Sequence, residues 1–145
     1  AKLVNFDFKR VQLNALATKE RIIELRSAIS ARVFLHERLA NYIQSLVAAT
    51  RPYNPQTDSH EHSVSELVDH SVDLGASPRA IICWGRLAKV WALLVRHRDE
   101  VYPEDIQDLA PYILGHRIWL GPHAASHGLT VEAVIQDVLD RVAIP

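Results

Sequence analysis

GASPRAIICWGRLAKVWALLV, Gly75 to Val95, is the stretch on which the fold turns. Gly75 suits a turn, Ser77 can cap a helix, and Pro78 suits the first helical position, where its missing N–H costs nothing. Ile81, Trp84, Ala88, Trp91 and Val95 then recur at three- and four-residue spacing. Ile82, Leu87, Val90 and Leu94 add apolar surface on the other sides, so the pattern predicts a central helix over 78–96, buried on most faces. Arg79 does not fit this picture. It puts a cation at the positive end of the helix macrodipole, which is unfavourable by a few tenths to ~1 kcal/mol. At about 100° per residue Arg79 and Arg86 share a side, opposite the stripe containing Trp84. A helix end carrying a guanidinium and free N–H groups is an anion site, and phosphate is the obvious anion. The competing reading is an arginine paired with a carboxylate, Asp73 or one on a neighbouring helix.

Working outward, Thr18 is a candidate N-cap for a helix with Ile22, Leu25, Ile29 and Val33 at helical spacing. A second helix over 35–50 carries one apolar stripe: Leu35, Leu39, Tyr42, Ile43, Leu46 and Val47. Pro52 and Pro55 end it and open a polar segment. Ser63 and Glu66 stand at capping-box spacing before a short helix over 64–71. After the central helix, VYPEDI starts another, with Pro103 at its first position and Glu104 and Asp105 where the dipole favours them. Pro111 should kink or break that helix, leaving a second piece through Arg117. GPHAASHG reads as a loop. Thr130 caps a last helix with Val131, Val134, Ile135, Val138 and Leu139 inward. Val4, Phe6 and Phe8 alternate, as in an extended stretch. The fold class expected is all-α, a small bundle of about six helices.

Composition narrows function by exclusion. The 145 residues suffice for one domain with a hydrophobic core, and a net charge of −1 offers no bulk attraction to nucleic acid or an anionic membrane. No apolar run approaches the roughly 20 residues of a membrane span, and no signal peptide is visible. The lone Cys83 cannot form an internal disulfide, so a cytoplasmic location is the default. There is no methionine and the first residue is Ala1, which suggests a piece of a longer protein. The phosphate-loop pattern GxxxxGK[ST], a GxSxG elbow, HExxH and CxxC are absent, so no catalytic residue is assigned. His60, Glu61, His62, Asp69 and His70 lie within a dozen residues. A helix between them would separate the ligands by roughly 10 Å, so no metal is assigned. A DNA reader would need a polar basic recognition helix, and the helix carrying Arg79, Arg86, Lys89 and Arg96 is too apolar.

Four pieces in order carry a resemblance: LANYIQSLVAATRP (Leu39–Pro52), GASPRA, VYPEDIQDLAPYILGHRIWL (Val101–Leu120) and VEAVIQDVLDRVAIP (Val131–Pro145). Together they resemble the C-terminal helical lid of the MoxR family of AAA+ ATPases. The resemblance covers residues 33–145 and implies a lid domain over 18–145, with 1–17 as a linker or residual connection to a missing ATPase core. It makes GASPRA the sensor-2 motif, with Arg79 as the arginine that reads the terminal phosphates of ATP and Ser77 and Pro78 beside it in the nucleotide-binding set. Thr50–Arg51 match the family's ATR step and His116–Arg117 its HR step, both read as helix-end hydrogen bonding to carbonyls. Where many relatives have a Gly-Arg turn, this chain has His97–Arg98.

The resemblance further implies that the full-length protein hydrolyses ATP with Mg2+, whereas the isolated domain binds neither. The partners implied are its own AAA+ core, neighbouring subunits in a ring, and a von Willebrand factor A-domain protein. The activity implied is chaperone-like remodelling or assembly of protein complexes. The alternative is a freestanding helical interaction module in which GASPRA merely starts a helix.

Overall fold

The computed structural model describes residues 15–54 and 65–145. The alternating Val4, Phe6 and Phe8, the proposed cap Ser63 and the histidines His60 and His62 lie outside them. The described chain forms α1 (Lys19–Arg32), α2 (Glu37–Ala49), α3 (Glu66–Ser71), β1 (Val72–Leu74), α4 (Arg79–Leu94), α5 (Pro103–Leu114), β2 (Trp119–Leu120), α6 (Pro122–Ser126) and α7 (Val131–Arg141). Six helices of six residues or more and one five-residue helix make the small all-α bundle expected from the periodicities. No described helix is long and apolar enough to cross a membrane.

Helix α4 runs between α2 and α5, with α1 on its outer side and α7 closing the bundle against α2 and α5. The stripe read for α2 holds: Leu39, Tyr42, Ile43, Leu46 and Val47 are all buried. On α7, Val134, Ile135 and Val138 point inward, and Thr130 accepts the Ala133 N–H at its start, 3.3 Å away. Thr18 caps α1 in the same way, through the Arg21 N–H at 3.2 Å.

The buried face of α4 differs from the stripe read above. Ala80, Trp84, Ala88 and Ala92 are buried, while Val95 is exposed and Ile81 and Trp91 are only partly covered. A helix apolar nearly all round does not set its own phase, and here the neighbours select the small residues. Three alanines let α2 and α5 approach closely around one large side chain, Trp84, whose indole N–H donates to the Ile106 carbonyl on α5 at 3.1 Å. A buried tryptophan is worth about 3–5 kcal/mol against alanine.

Three local expectations are corrected. Helix α5 is continuous through Pro111 to Leu114 and has no second piece. Proline there removes one N–H from the ladder, but Pro111 is exposed and the Gly115 N–H still donates to its carbonyl at 3.0 Å. GPHAASHG contains the short α6. The cap of α3 is Ser65, whose hydroxyl accepts the Val68 N–H at 3.1 Å.

Unforeseen from the sequence, β1 and β2 form an antiparallel two-stranded ribbon that pairs Val72 with Leu120 and Leu74 with Trp119. It leads straight into Gly75. At the opposite end of α4 the chain turns through His97, whose φ of 56° lies in the left-handed region that favours glycine. A histidine thus occupies a backbone conformation that glycine would adopt without strain. Arg98 then lies over the Tyr102 ring, 4.0 Å from its centroid, and donates to Asp105 at 2.7 Å. Asp105 is fully buried and also accepts the Tyr102 N–H at 2.8 Å, which caps α5.

Candidate functional site at the start of the central helix

The loop from Gly75 to Pro78 is held by the end of α2. Thr50 is fully buried; its hydroxyl donates to the Val47 carbonyl at 2.7 Å and accepts the Ala76 N–H at 2.9 Å. The next residue, Arg51, donates from Nε to the Ala76 carbonyl at 3.0 Å. Both backbone groups of one buried alanine are therefore satisfied by consecutive side chains 25 and 26 residues away. The approach is close enough to need glycine before it. A Cβ on Gly75 would sit 2.4 Å from the Thr50 carbonyl oxygen and 2.8 Å from Arg51 Cγ. The ATR step is thus structural, as expected, and what it orders is the loop before Arg79.

Beyond this clamp α4 begins without a side-chain cap. Ser77 does not cap it through its hydroxyl; its carbonyl accepts the Ala80 N–H at 2.9 Å. Pro78 has helical dihedrals (φ −55°, ψ −21°) and its carbonyl accepts the Ile81 N–H at 3.1 Å. Proline's restricted ring fits this position without strain. The tight first turn uses N–H groups that would otherwise stay free, a correction to the picture of an open row of donors. The positive charge exposed at this end is therefore mainly that of the Arg79 guanidinium.

Arg79 is exposed and makes no ion pair or side-chain hydrogen bond among the described residues. Asp73, the carboxylate weighed as its partner, packs instead against Gly121, where a Cβ would lie 2.7 Å from Asp73 Oδ1. Ser77, Pro78 and Arg79 form one exposed corner, with buried Ala76 on one side and buried Ala80 on the other. Arg79 is free to pair with an external anion, and a guanidinium meets phosphate or carboxylate with two parallel hydrogen bonds.

The other candidates are structural where described. Arg117 donates to the Ile113 carbonyl at 3.0 Å, closing the end of α5. Asp69 accepts the Tyr53 N–H at 2.7 Å, and the His70 ring bonds the Glu66 carbonyl at 2.8 Å. Among the described residues no cluster of His, Cys, Asp and Glu is placed to hold a metal ion.

The family is shown by comparison with known proteins. Residues 64–138 match the AAA lid domain, more than half of the chain, and the chain belongs to that family. Within it, the chain is a lid of the MoxR kind. It is 37% identical over 118 residues to Chaperone MoxR1 of Mycobacterium tuberculosis, covering 81% of this chain and 29% of that protein. It is 34% identical over 133 residues to the uncharacterized protein YeaC of Bacillus subtilis, covering 92% of this chain and 36% of that protein. A crystal structure of a candidate ATPase from Cytophaga hutchinsonii superposes with a TM-score of 0.75 at 34% identity, over 99% of this chain and 40% of that one. The chain thus spans about a third of the length of these curated relatives.

Proposed function

We propose that this chain is the lid of an ATP-hydrolysing MoxR-like machine in which Arg79 senses the terminal phosphates of the nucleotide. Ser77 and Pro78 shape the corner from which it reaches. The observation that carries this reading is the contrast between a pinned loop and a free side chain. Thr50 and Arg51 hold Ala76 through both of its backbone groups, while Arg79, three residues on, has no ion-pair partner among the described residues. A rigidly mounted, unpaired guanidinium binds an anion without first breaking an internal salt bridge.

Arg79 distinguishes nucleotide states by differential contact: a phosphate present in one state and absent in the other shifts the lid's equilibrium position by the difference in binding energy. ATP with Mg2+ is held mainly by the remainder of the full-length protein, and the chain by itself has little or no affinity for it. The lid packs with its own AAA+ core and with neighbouring subunits of a ring in the cytoplasm. The work performed is chaperone-like remodelling or assembly of protein complexes, with a von Willebrand factor A-domain protein as one partner.

The test is Arg79→Ala in the full-length ATPase. Removing one preorganised charge contact lowers turnover by about a hundredfold, while the circular-dichroism melt of the 145-residue chain is unchanged. Turnover equal to wild type, with equal coupling to client remodelling, overturns the assignment.

A further inference from the structure

Helix α1 is the exception in this bundle. Its 14 residues include none that is fully buried, although Ile22, Ile23 and Leu25 are apolar and about half exposed. A helix this short is marginal in water without tertiary support. Its inner side packs on α4 without filling all the space between the two helices. Between them runs a groove of about 390 Å³ whose lining includes Ile23, Ile29 and Val90 as an apolar floor and Arg26, Arg86 and Lys89 as a basic rim. Lys89 spends one N–H on the Ser30 carbonyl at 3.1 Å. Among the described residues Arg26 and Arg86 have no hydrogen-bond or ion-pair partner, and no carboxylate lines the groove. Three positive charges thus converge on one cleft in a chain whose net charge is −1.

We propose that the α1–α4 groove is a docking site for an acidic peptide segment of a partner protein, one apolar side chain on the floor and flanking carboxylates on Arg26 and Arg86. Charge complementarity selects the sign of the occupant, and the floor selects its class. A polyphosphate or nucleic acid would use the rim and leave Ile23, Ile29 and Val90 in water, whereas an acidic segment with a leucine or phenylalanine satisfies both. The volume suits an anchor of two or three side chains, in the manner of a helix laid in a groove. The N-terminal residues 1–14 are not complementary, because Lys2, Lys9 and Arg10 outnumber Asp7. Docking here is independent of Arg79.

The test selects random dodecapeptides displayed on phage against the full 145-residue chain, then measures one selected peptide by fluorescence anisotropy. The expected sequences are rich in Asp and Glu around one large apolar residue. Arg26→Glu with Arg86→Glu weakens the selected peptide at least tenfold at unchanged melting temperature, and Ile23→Ser weakens it as well. Arg38→Glu, on the exposed start of α2, leaves it unchanged. The proposal is overturned if no peptide is recovered, if recovered peptides are not acidic, or if they ignore the charge reversal. Two other results overturn it in favour of a different occupant. One is tighter peptide binding when Asp58 and Glu61 become Asn and Gln, which identifies the chain's own segment. The other is concentration-dependent self-association abolished by the charge reversal, which identifies a second copy.

Discussion

Thr50, at the end of α2, accepts the N–H of Ala76, three residues before Arg79, at 2.9 Å in a fully buried setting. That single hydroxyl links the second helix to the start of the central one. It sets where the lid's exposed arginine stands relative to the rest of the bundle. Gly75 makes the contact possible by leaving room for the Thr50 carbonyl, and Arg51 completes it by donating to the carbonyl of the same residue, Ala76.

Thr50→Val keeps the shape of the side chain and removes the acceptor. The buried Ala76 N–H is then unsatisfied, and unfolding in urea should show a loss of about 1–3 kcal/mol. Thr50→Ser restores most of it. If the clamp orders the corner from which Arg79 is proposed to read nucleotide, Thr50→Val in the full-length protein also lowers the proposed ATP turnover by more than the loss of folded protein explains.

Asp105 answers to a harsher rule. It is buried under Arg98 and accepts the Tyr102 N–H, with Arg96 Nε 3.7 Å away. Asp105→Ala should cost about 3 kcal/mol in a thermal or urea melt, at the low end for a buried pair because Arg98 is partly exposed and keeps Glu104 as a partner. Arg98→Ala leaves the carboxylate buried and is comparably destabilising.

His97 holds a positive φ that costs a residue with a Cβ roughly 1–2 kcal/mol. His97→Gly should raise stability by about 1 kcal/mol, somewhat less than the strain because glycine loses more freedom on folding. A higher urea midpoint with an unchanged slope is the expected result.

The pH dependence of folding reports on Asp137. Partial burial pushes its carboxyl up, but the Ser65 hydroxyl and the Arg141 guanidinium, with Nε at 2.8 and 2.9 Å from its two oxygens, leave it below the usual carboxylate range. A depressed folded-state value means that the unfolded chain takes up this proton first as pH falls. The stabilisation is therefore complete above the unfolded value of about 3.9 and is lost as pH drops through the lower folded one. Asp137→Asn should flatten the acid limb of the stability curve, measured by urea melts between pH ~2 and ~5.

Much of this architecture could be read from local pattern. Leu39, Tyr42, Ile43, Leu46 and Val47 lie on one face because helical periodicity alone puts them there. Thr18, Thr130 and Pro103 mark helix starts because capping is decided within a turn of the chain. The oddity of Arg79 was equally visible, since a cation in a first turn conflicts with the dipole whatever surrounds it. The phase of α4 was not visible. With apolar residues on nearly every side, burial of Ala80, Trp84, Ala88 and Ala92 is decided by how near α2 and α5 can come. Nor could the ribbon pairing Val72 with Leu120 be read, because two or three residues hold no usable alternation.

The chain's own order of residues thus determined which segments coil, where they begin, and that one arginine would stand at the head of the central helix. Tertiary structure decided that this arginine has no partner among the described residues and that Thr50 and Arg51 fasten the loop before it. It also decided that Asp73 faces Gly121 and that a basic cleft opens beside α1. The division has one physical cause. Helix formation and capping are settled among neighbours a few positions apart, whereas salt bridges, buried hydrogen bonds and grooves depend on distances between residues tens of positions apart, which only packing sets.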